Sequence, residues 1–334
     1  MHPELFEIPL LGLPIRGFGV MMACGFLMGI LLVRRLTRRA GLDVDIIMNA
    51  ALYSLMIGIV GARLFFVLHR LDQYRGDIFG AIAVWRGGLE FVGGVIPAIV
   101  VLIFYLRRHR LPVRRYMDIM AMGLMMGLAF GRIGCFLNGC CFGRPSEVPW
   151  AVRFPYGSFA YISQINPDPA RGRTQPYIEL PEEEYFSFYD EHGYWYPIPL
   201  GEMTEGQRHD VTEGKYRCLA VHPTQLYSSI NALLICGILY VFWRRSLRKT
   251  GKGGARGRLE LPGASVALAL VLYGPARFVL ESIRDDNPYE FANLTISQIT
   301  GMAMFVAGVV LFIILPLVNP GVSSERSVIS SDEA

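Results

Sequence analysis

The sequence has few charged residues for its length. Only 18% of its 334 residues are Asp, Glu, Lys or Arg, whereas 52% are hydrophobic and the mean hydropathy is +0.36. This composition excludes an ordinary soluble domain and is typical of a polytopic membrane protein. The net charge is only +4. We assign it to anchoring at the membrane surface, so no nucleic-acid partner is predicted.

Three further features are missing. The N-terminus has no basic segment before its first apolar run, and that run is a full span, so we expect no cleavable signal peptide. The CxxxxCC spacing of Cys135, Cys140 and Cys141 matches no standard zinc pattern, so no metal site is predicted. No internal repeat with midplane charges is visible, which argues against a transporter.

Seven segments are long and apolar enough to cross a membrane as helices. They are residues 18–33, 46–68, 91–106, 117–136, 225–243, 264–281 and 296–318. The predicted fold is therefore an all-α polytopic membrane protein with about seven transmembrane helices. We divide the chain into helices 1–4 with a central motif (1–143), an insertion (144–221), helices 5–7 (222–318) and a disordered cytoplasmic tail (319–334).

Clusters of arginine and lysine determine the predicted orientation. They lie in the connections at 34–39, 107–115 and 244–258, whereas the alternate short connections carry far fewer cations. The positive-inside rule places these clusters in the cytoplasm. The N-terminus and the insertion are then outside, and the C-terminus is inside.

The insertion at 144–221, which we call the cap, is polar, with twelve acidic residues and many tyrosines and prolines. We expect an external cap of mixed strand and loop. A disordered segment is the alternative, but the aromatic content argues against it.

The stretch GRIGCFLNGCCFGRP at 131–145 ends the fourth apolar segment. Arg132 interrupts this segment, and an arginine in a membrane span requires a partner or a water-filled cavity. The glycines allow close approach of a ligand or another chain segment. Cys135 and Asn138 add polar groups. The alternative is an arginine that extends to the interface from a helix end.

The sixth predicted helix carries a polar stripe. At about 100° per residue, Tyr273, Arg277, Glu281 and Arg284 fall within one quarter of its surface. In an apolar helix such a stripe must face protein or water. The alternative is a purely structural Arg277–Glu281 pair at i,i+4 spacing.

Three arginines are predicted to lie in the outer halves of outward-running helices. They are Arg63, Arg132 and Arg277, and Glu281 is the single acidic partner evident in the sequence. A guanidinium matches the geometry of phosphate. A phospholipid head group is the simplest anion at this depth.

Several separated motifs resemble the bacterial prolipoprotein diacylglyceryl transferases. GRIGCFLNGCCFG is similar to the family's GRIGNFINGELWG, with Cys135 in place of Asn and Cys140 in place of Glu. The stretches GARLFFVLH, WAVRFP, HPTQLY and YGPARFVLESIR also resemble family elements, and the resemblance covers all seven spans.

The resemblance implies a reaction and its partners. The diacylglyceryl group of phosphatidylglycerol passes to the lipobox cysteine of a prolipoprotein signal peptide, a thioether forms and glycerol-1-phosphate leaves. No cofactor is implied. The expected place is the bacterial cytoplasmic (inner) membrane, among membrane lipids, with the active site toward the outer leaflet. The oligomeric state stays open.

The resemblance also implies the site residues. The catalytic candidates from the resemblance are Arg132, Arg277 and Glu281. Glu90 is a further catalytic candidate, which comes from its position in the glycine-rich segment and not from the resemblance. The candidates for binding phosphatidylglycerol are Arg63, Arg132, Asn138, Gly143, His222, Gln225, Tyr273, Arg277 and Arg284. His222 is either an orienting or proton-accepting group or only the start of the fifth helix.

Val92 stands where the family often has a histidine, so the proton acceptor is open. Glu90, two residues earlier, is one candidate; the other reading is that the arginines alone lower the pKa of the substrate thiol. A bridge from Cys135, Cys140 or Cys141 to Cys218 is a further alternative for the outer cysteines. Two other functions compete: a paralogous lipid transferase with another acceptor, and a non-enzymatic phospholipid-binding or transport protein.

Overall fold

The computed structural model describes residues 4–8, 13–74, 76, 78–84, 88, 90–189, 193–250 and 261–317. The predicted cytoplasmic tail (319–334) lies outside these residues. The elements in chain order are strands β1 (Glu4–Ile8) and β2 (Leu13–Arg16), helices α1 (Gly17–Arg39), α2 (Val44–His69), α3 (Leu71–Tyr74), α4 (Ile78–Ile82), α5 (Phe91–Arg108), α6 (Val113–Asn138), α7 (Phe159–Ile165) and α8 (Glu182–Tyr185), strands β3 (Phe186–Tyr189) and β4 (Trp195–Pro197), and helices α9 (Glu205–Thr212), α10 (Thr224–Thr250), α11 (Ala264–Ile283) and α12 (Ile296–Ile314).

The predicted polytopic helical fold is confirmed. Among the described residues, six helices are long and apolar enough to cross a membrane: α1, α2, α6, α10, α11 and α12. The third predicted span corresponds to α5, an 18-residue helix, which at about 1.5 Å per residue extends roughly 27 Å. The orientation in the membrane stays a prediction. The division of the chain at residues 143, 221 and 318 into membrane helices, cap and tail also stays a prediction.

The chain forms two compact units. One comprises Ile30–Met120, and the other comprises Met1–Gly29 together with Ala121–Ala334. The second unit contains the 131–145 motif, the cap and the helices α10 to α12.

In the unit Ile30–Met120, α2 and α5 pack through glycines. A Cβ on Gly61 would lie 2.5 Å from the carbonyl oxygen of Gly93, and a Cβ on Gly94 would lie 2.9 Å from that of Gly58. Such small residues permit close packing of membrane helices. The glycine-rich stretch WRGGLEFVGGVIP (85–97) predicts a re-entrant or broken segment from the sequence alone. For Gly93 and Gly94 that prediction is wrong. The helix begins at Phe91 and runs through both glycines, and the non-helical backbone lies earlier, at Gly88 with φ 75°.

In the other unit, α11 and α12 pack in the same way. A Cβ on Gly274 would lie 2.5 Å from the carbonyl oxygen of Gly301, and one on Gly308 would lie 2.9 Å from that of Ala267. The uncharged α12 thus packs along the helix that carries the polar stripe.

The cap has its own hydrophobic core, which confirms the expected mixed structure over its described residues. Tyr161, Ile165, Val211 and Val221 are each at most 3% exposed within it. The fully buried Asn166 accepts a hydrogen bond from the Trp195 amide (2.7 Å) and donates to the Trp195 carbonyl (2.9 Å). Because this segment has a packed apolar core and its buried Asn166 is hydrogen-bonded, it is a folded cap.

Candidate functional site

Three motifs that are far apart in the sequence cross at Gly143. Its amide donates to the carbonyl of His222 (3.0 Å), and the amide of Arg144 donates to the carbonyl of Ile283 (2.9 Å). A Cβ on Gly143 would lie 2.6 Å from the Cβ of His222 and 2.7 Å from its carbonyl oxygen. Only glycine allows this approach. The crossing joins the end of the 131–145 motif to the entry of α10 and the end of α11.

The first turn of α10 holds the backbone beyond α6. Thr224 Oγ1 donates to the carbonyl of Cys141 (2.6 Å), and Gln225 Nε2 donates to the carbonyl of Cys140 (2.7 Å). Gln225 is fully buried, and its Oε1 has no hydrogen-bond partner among the described residues. Since buried polar atoms are normally paired, this oxygen is a free acceptor at the site.

Glu281 is the buried centre of the polar stripe. Its Oε2 lies 2.9 Å from Arg277 Nη1 and 3.4 Å from Arg284 Nη1, and its Oε1 accepts from Asn287 Nδ2. The Arg277–Glu281 pair considered from the sequence is therefore present. A buried carboxylate is tolerated because opposite charges and hydrogen bonds surround it.

The two arginines of this stripe differ in their remaining partners. Arg277 Nη2 donates to Ser297 Oγ on α12 (2.7 Å). Arg284 makes a bidentate contact with Asp286, with both distances 2.9 Å. Burial favours its neutral form, but the hydrogen bonds and charge of Asp286 raise the pKa of Arg284 above its ordinary value. Arg284 is thus occupied by carboxylates.

Arg132 is half-buried near the end of α6. Its charge is close enough to interact with those of Arg277 and Cys141. It makes no ion pair or hydrogen bond with any residue in the described part of the chain. Tyr273, one turn before Arg277, is within electrostatic range of Arg277. The site therefore contains an uncompensated guanidinium, which favours an anion.

Three cysteines lie together beside Arg132. The sulfur atoms of Cys135, Cys140 and Cys141 are all within 4.8 Å of one another, and all three thiols are half-buried. The thiol of Cys140 donates to the carbonyl of Cys135 (3.7 Å), and Asn138 is close enough to interact with it. The CxxxxCC spacing, from which no metal site was predicted, did not indicate that the three sulfurs lie this close together.

Of the three thiols, that of Cys141 is the one whose pKa is lowered, which favours its thiolate form. Hydrogen bonds from the thiols of Cys135 and Cys140 lower the pKa of Cys141, and the positive charges of Arg284 and Arg132 lower it further. The residue has a left-handed backbone, with φ 62°, a conformation uncommon outside glycine.

The bridge to Cys218 is absent, because the structure has all six cysteines free. Cys218 is buried in the cap, where its Sγ lies 3.5 Å from Gln164 Oε1. Burial raises the pKa of its thiol to about 11. It is a core residue of the cap.

Arg63 lies in the unit Ile30–Met120 and is bound by backbone carbonyls. Its Nε donates to Ala81 (2.9 Å), Nη1 to Gly88 (2.9 Å) and Nη2 to Gly80 (2.6 Å). The side chain is 5% exposed. These contacts connect α2 to α4 and to the non-helical backbone at Gly88 before α5. The interpretation of Arg63 as a phosphate ligand did not predict them.

Glu90 lies in the same unit, at the N-cap of α5, without capping its helix. Its Oε2 is 2.8 Å from His69 Nδ1, and the Glu90 side chain is 35% exposed. The sequence had not singled out His69. The side chain of Val92 lies outside the described residues.

His222 contributes both backbone and ring. Besides accepting from Gly143, its Nδ1 lies 3.2 Å from the hydroxyl of Tyr227, which accepts from Trp150 Nε1 (2.6 Å). His222 therefore does more than precede α10, although its part in any chemistry stays a prediction.

The sequence profile described as prolipoprotein diacylglyceryl transferase matches residues 3–314. The chain belongs to this family. The match includes the 131–145 motif, the Gly143 crossing and the polar stripe of α11, and the spans make this family member a multi-pass membrane protein.

Individual bacterial relatives agree. A phosphatidylglycerol–prolipoprotein diacylglyceryl transferase of Rhodopirellula baltica is 27% identical, over 90% of this chain and 72% of that protein. Proteins of the same name from Synechococcus elongatus (28% identical; 92% of this chain, 85% of that protein) and Clostridium tetani (25% identical; 93% and 97%) are also similar.

Sequence reasoning missed several supporting residues: Thr224, Asp286, Asn287 and Ser297. The acidic and amide residues in IRDDNP, directly after the polar stripe, were a usable signal for Asp286 and Asn287. Ser297 and Thr224 are ordinary residues at helix starts and carried none.

Proposed function

We propose that this protein transfers the diacylglyceryl group of phosphatidylglycerol to the cysteine thiol of a prolipoprotein. The observation that carries the proposal is Arg132, a half-buried guanidinium without a partner among the described residues, in range of Arg277. A phosphodiester supplies the missing negative charge. The family membership supports the type of reaction and the acceptor, because the family is described as prolipoprotein diacylglyceryl transferase.

The chemistry needs fixed cations more than a nucleophile of the enzyme. The substrate sulfur attacks the glycerol carbon, a C–S bond forms, and the C–O bond to phosphate breaks. Glycerol-1-phosphate leaves with the electron pair, and the thiol proton passes to an acceptor. Arg132 and Arg277 stabilise the charge that develops on the leaving phosphate.

The remaining site residues act around these two arginines. Glu281 orients Arg277, and Arg277, Arg284 and Asn287 together hold its carboxylate in place. Arg284 acts through Glu281.

The head-group contacts form a second part of the proposal. Gln225 Oε1 accepts a head-group hydroxyl, and Asn138 and Tyr273 border the same place. Gly143 permits the crossing that shapes it. His222, hydrogen-bonded to Tyr227, is an orienting group.

Two candidates lie in the unit Ile30–Met120. Arg63 acts by holding the backbone of Gly80, Ala81 and Gly88 through its carbonyl contacts. Glu90 is the proton acceptor in our proposal, with His69 as the partner that positions it.

The arginine clusters support the proposed placement. We assign the protein to the inner membrane of a bacterium, with the cap outside and the site toward the outer leaflet. The acceptor is then a signal peptide with a lipobox cysteine that reaches the site from the membrane.

The purified protein, incubated with phosphatidylglycerol and a lipobox peptide, should yield a peptide with the mass of a diacylglyceryl adduct, and Arg132→Ala should not. Consumption of phosphatidylglycerol without the adduct would instead indicate a transferase with another acceptor. Binding of phosphatidylglycerol without consumption would indicate a non-enzymatic lipid-binding protein.

A further inference from the structure

The cysteines of the 131–145 motif form a cluster whose chemistry the proposed reaction does not use. Cys135 is in the last turn of α6, and Cys140 and Cys141 follow the helix. Their three sulfurs lie within 4.8 Å of one another, and none is in a disulfide. We propose that these three thiolates bind one thiophilic d¹⁰ cation, Zn²⁺ or Cu⁺.

The distances suit such an ion. A Zn–S bond of about 2.3 Å places two sulfurs of a tetrahedral site about 3.8 Å apart. The sulfurs therefore need to move by roughly 1 Å or less to complete the ligand shell. Soft thiolate donors select Zn²⁺ and Cu⁺ over Mg²⁺ and Ca²⁺, which prefer oxygen.

The backbone around the cluster is fixed from outside. Gln225 Nε2 holds the carbonyl of Cys140 at 2.7 Å, and Thr224 Oγ1 holds that of Cys141 at 2.6 Å. These contacts fix two consecutive cysteines in the arrangement that brings both sulfurs to Cys135. In metal sites, such outer contacts orient the ligands and contribute to affinity.

The charges are also suitable. Three thiolates and one Zn²⁺ carry a net charge of −1, and Arg132 and Arg284 are in electrostatic range of Cys141. The arginines thus stabilise the loaded site instead of repelling it. Binding releases the thiol protons to solvent and leaves one coordination position for a water molecule or another thiolate.

The test uses the full-length protein in detergent, purified under reducing conditions. It is loaded with Zn²⁺ or Cu⁺, freed of excess ion, and its metal content is measured by plasma mass spectrometry. We expect about one ion per chain. Co²⁺ in place of Zn²⁺ should give a thiolate-to-metal charge-transfer band. Cys135→Ser, Cys140→Ser and Cys141→Ser should each lower the bound metal at least about tenfold.

A matched control carries Cys24→Ser, Cys218→Ser and Cys236→Ser together and keeps only the cluster, so it should bind as the unchanged protein does. A serine variant that fails to fold is bypassed by alkylating the unchanged protein. Bound Zn²⁺ should protect three thiols, and a chelator should expose them. Absence of stoichiometric metal, its retention in all three serine variants, or a disulfide within the cluster that forms in place of metal binding would overturn the proposal.

Discussion

Arg171, in the cap, donates from Nη2 to the backbone carbonyl of Arg284 at 2.6 Å, just beyond the end of α11. Its Nη1 donates to the carbonyl of Asn287, also at 2.6 Å, and its guanidinium lies over the ring of Tyr289. One buried side chain of the cap thus fixes the residues that surround Glu281.

Replacement of Arg171 should loosen this connection. Hydrogen bonds to charged groups contribute about 1.5–3 kcal/mol each, so Arg171→Ala should destabilise the protein by a few kcal/mol and reduce transfer. Thermal unfolding of the purified protein, together with the adduct assay, measures both effects. Arg217→Ala, at an exposed position of the cap, is the control and should change neither. Equal unfolding temperatures for the two variants would contradict the prediction.

The guanidinium geometry at Arg132 and Arg277 should matter beyond charge. Arg132→Ala and Arg277→Ala should each abolish transfer, and the lysine variants should fail too, because an ammonium cannot form a bidentate contact with phosphate. The adduct assay is the measurement, with membrane insertion confirmed for each variant. Ser297→Ala removes only one partner of Arg277 and should retain most of the activity. Near-normal transfer by Arg277→Lys would show that net charge suffices there.

Glu90 should matter most when the substrate thiol is protonated. A free thiol has a pKa of about 8.5, so a base helps near pH 6.5 and is hardly needed near pH 9. We therefore expect Glu90→Gln to slow transfer much more at the lower pH. His69→Ala, which leaves the carboxylate but removes its partner, should show a weaker form of the same profile. Equal slowing of Glu90→Gln at both pH values would assign Glu90 a structural role.

The orientation can be tested independently of activity. Reporter fusions within the cap should report an external location, and fusions near Arg110 and Lys252 should report the cytoplasm, because the arginine clusters remain inside. An internal signal from the cap would place the site on the opposite face of the membrane.

The amino-acid sequence by itself determined the helices and their polar stripe. Apolar length and helical periodicity are local properties, so the positions of the spans and the shared face of Tyr273, Arg277 and Glu281 could be derived without coordinates. Arg284 was predicted on the same helix face, but it lies just beyond the end of α11, in extended backbone. The cap was likewise predictable as folded from its aromatic content.

Only the tertiary structure decided what those residues contact. In the structure Arg63 donates hydrogen bonds to three backbone carbonyls, whereas Arg132 has no partner in the described part of the chain. The structure also turned Gly93 and Gly94 from expected helix breakers into packing surfaces, and brought Cys135 to Cys140 and Cys141 in one cluster. Each outcome depends on a neighbour distant in the chain or on the path of a turn. The period and composition of a single segment carry no information about either.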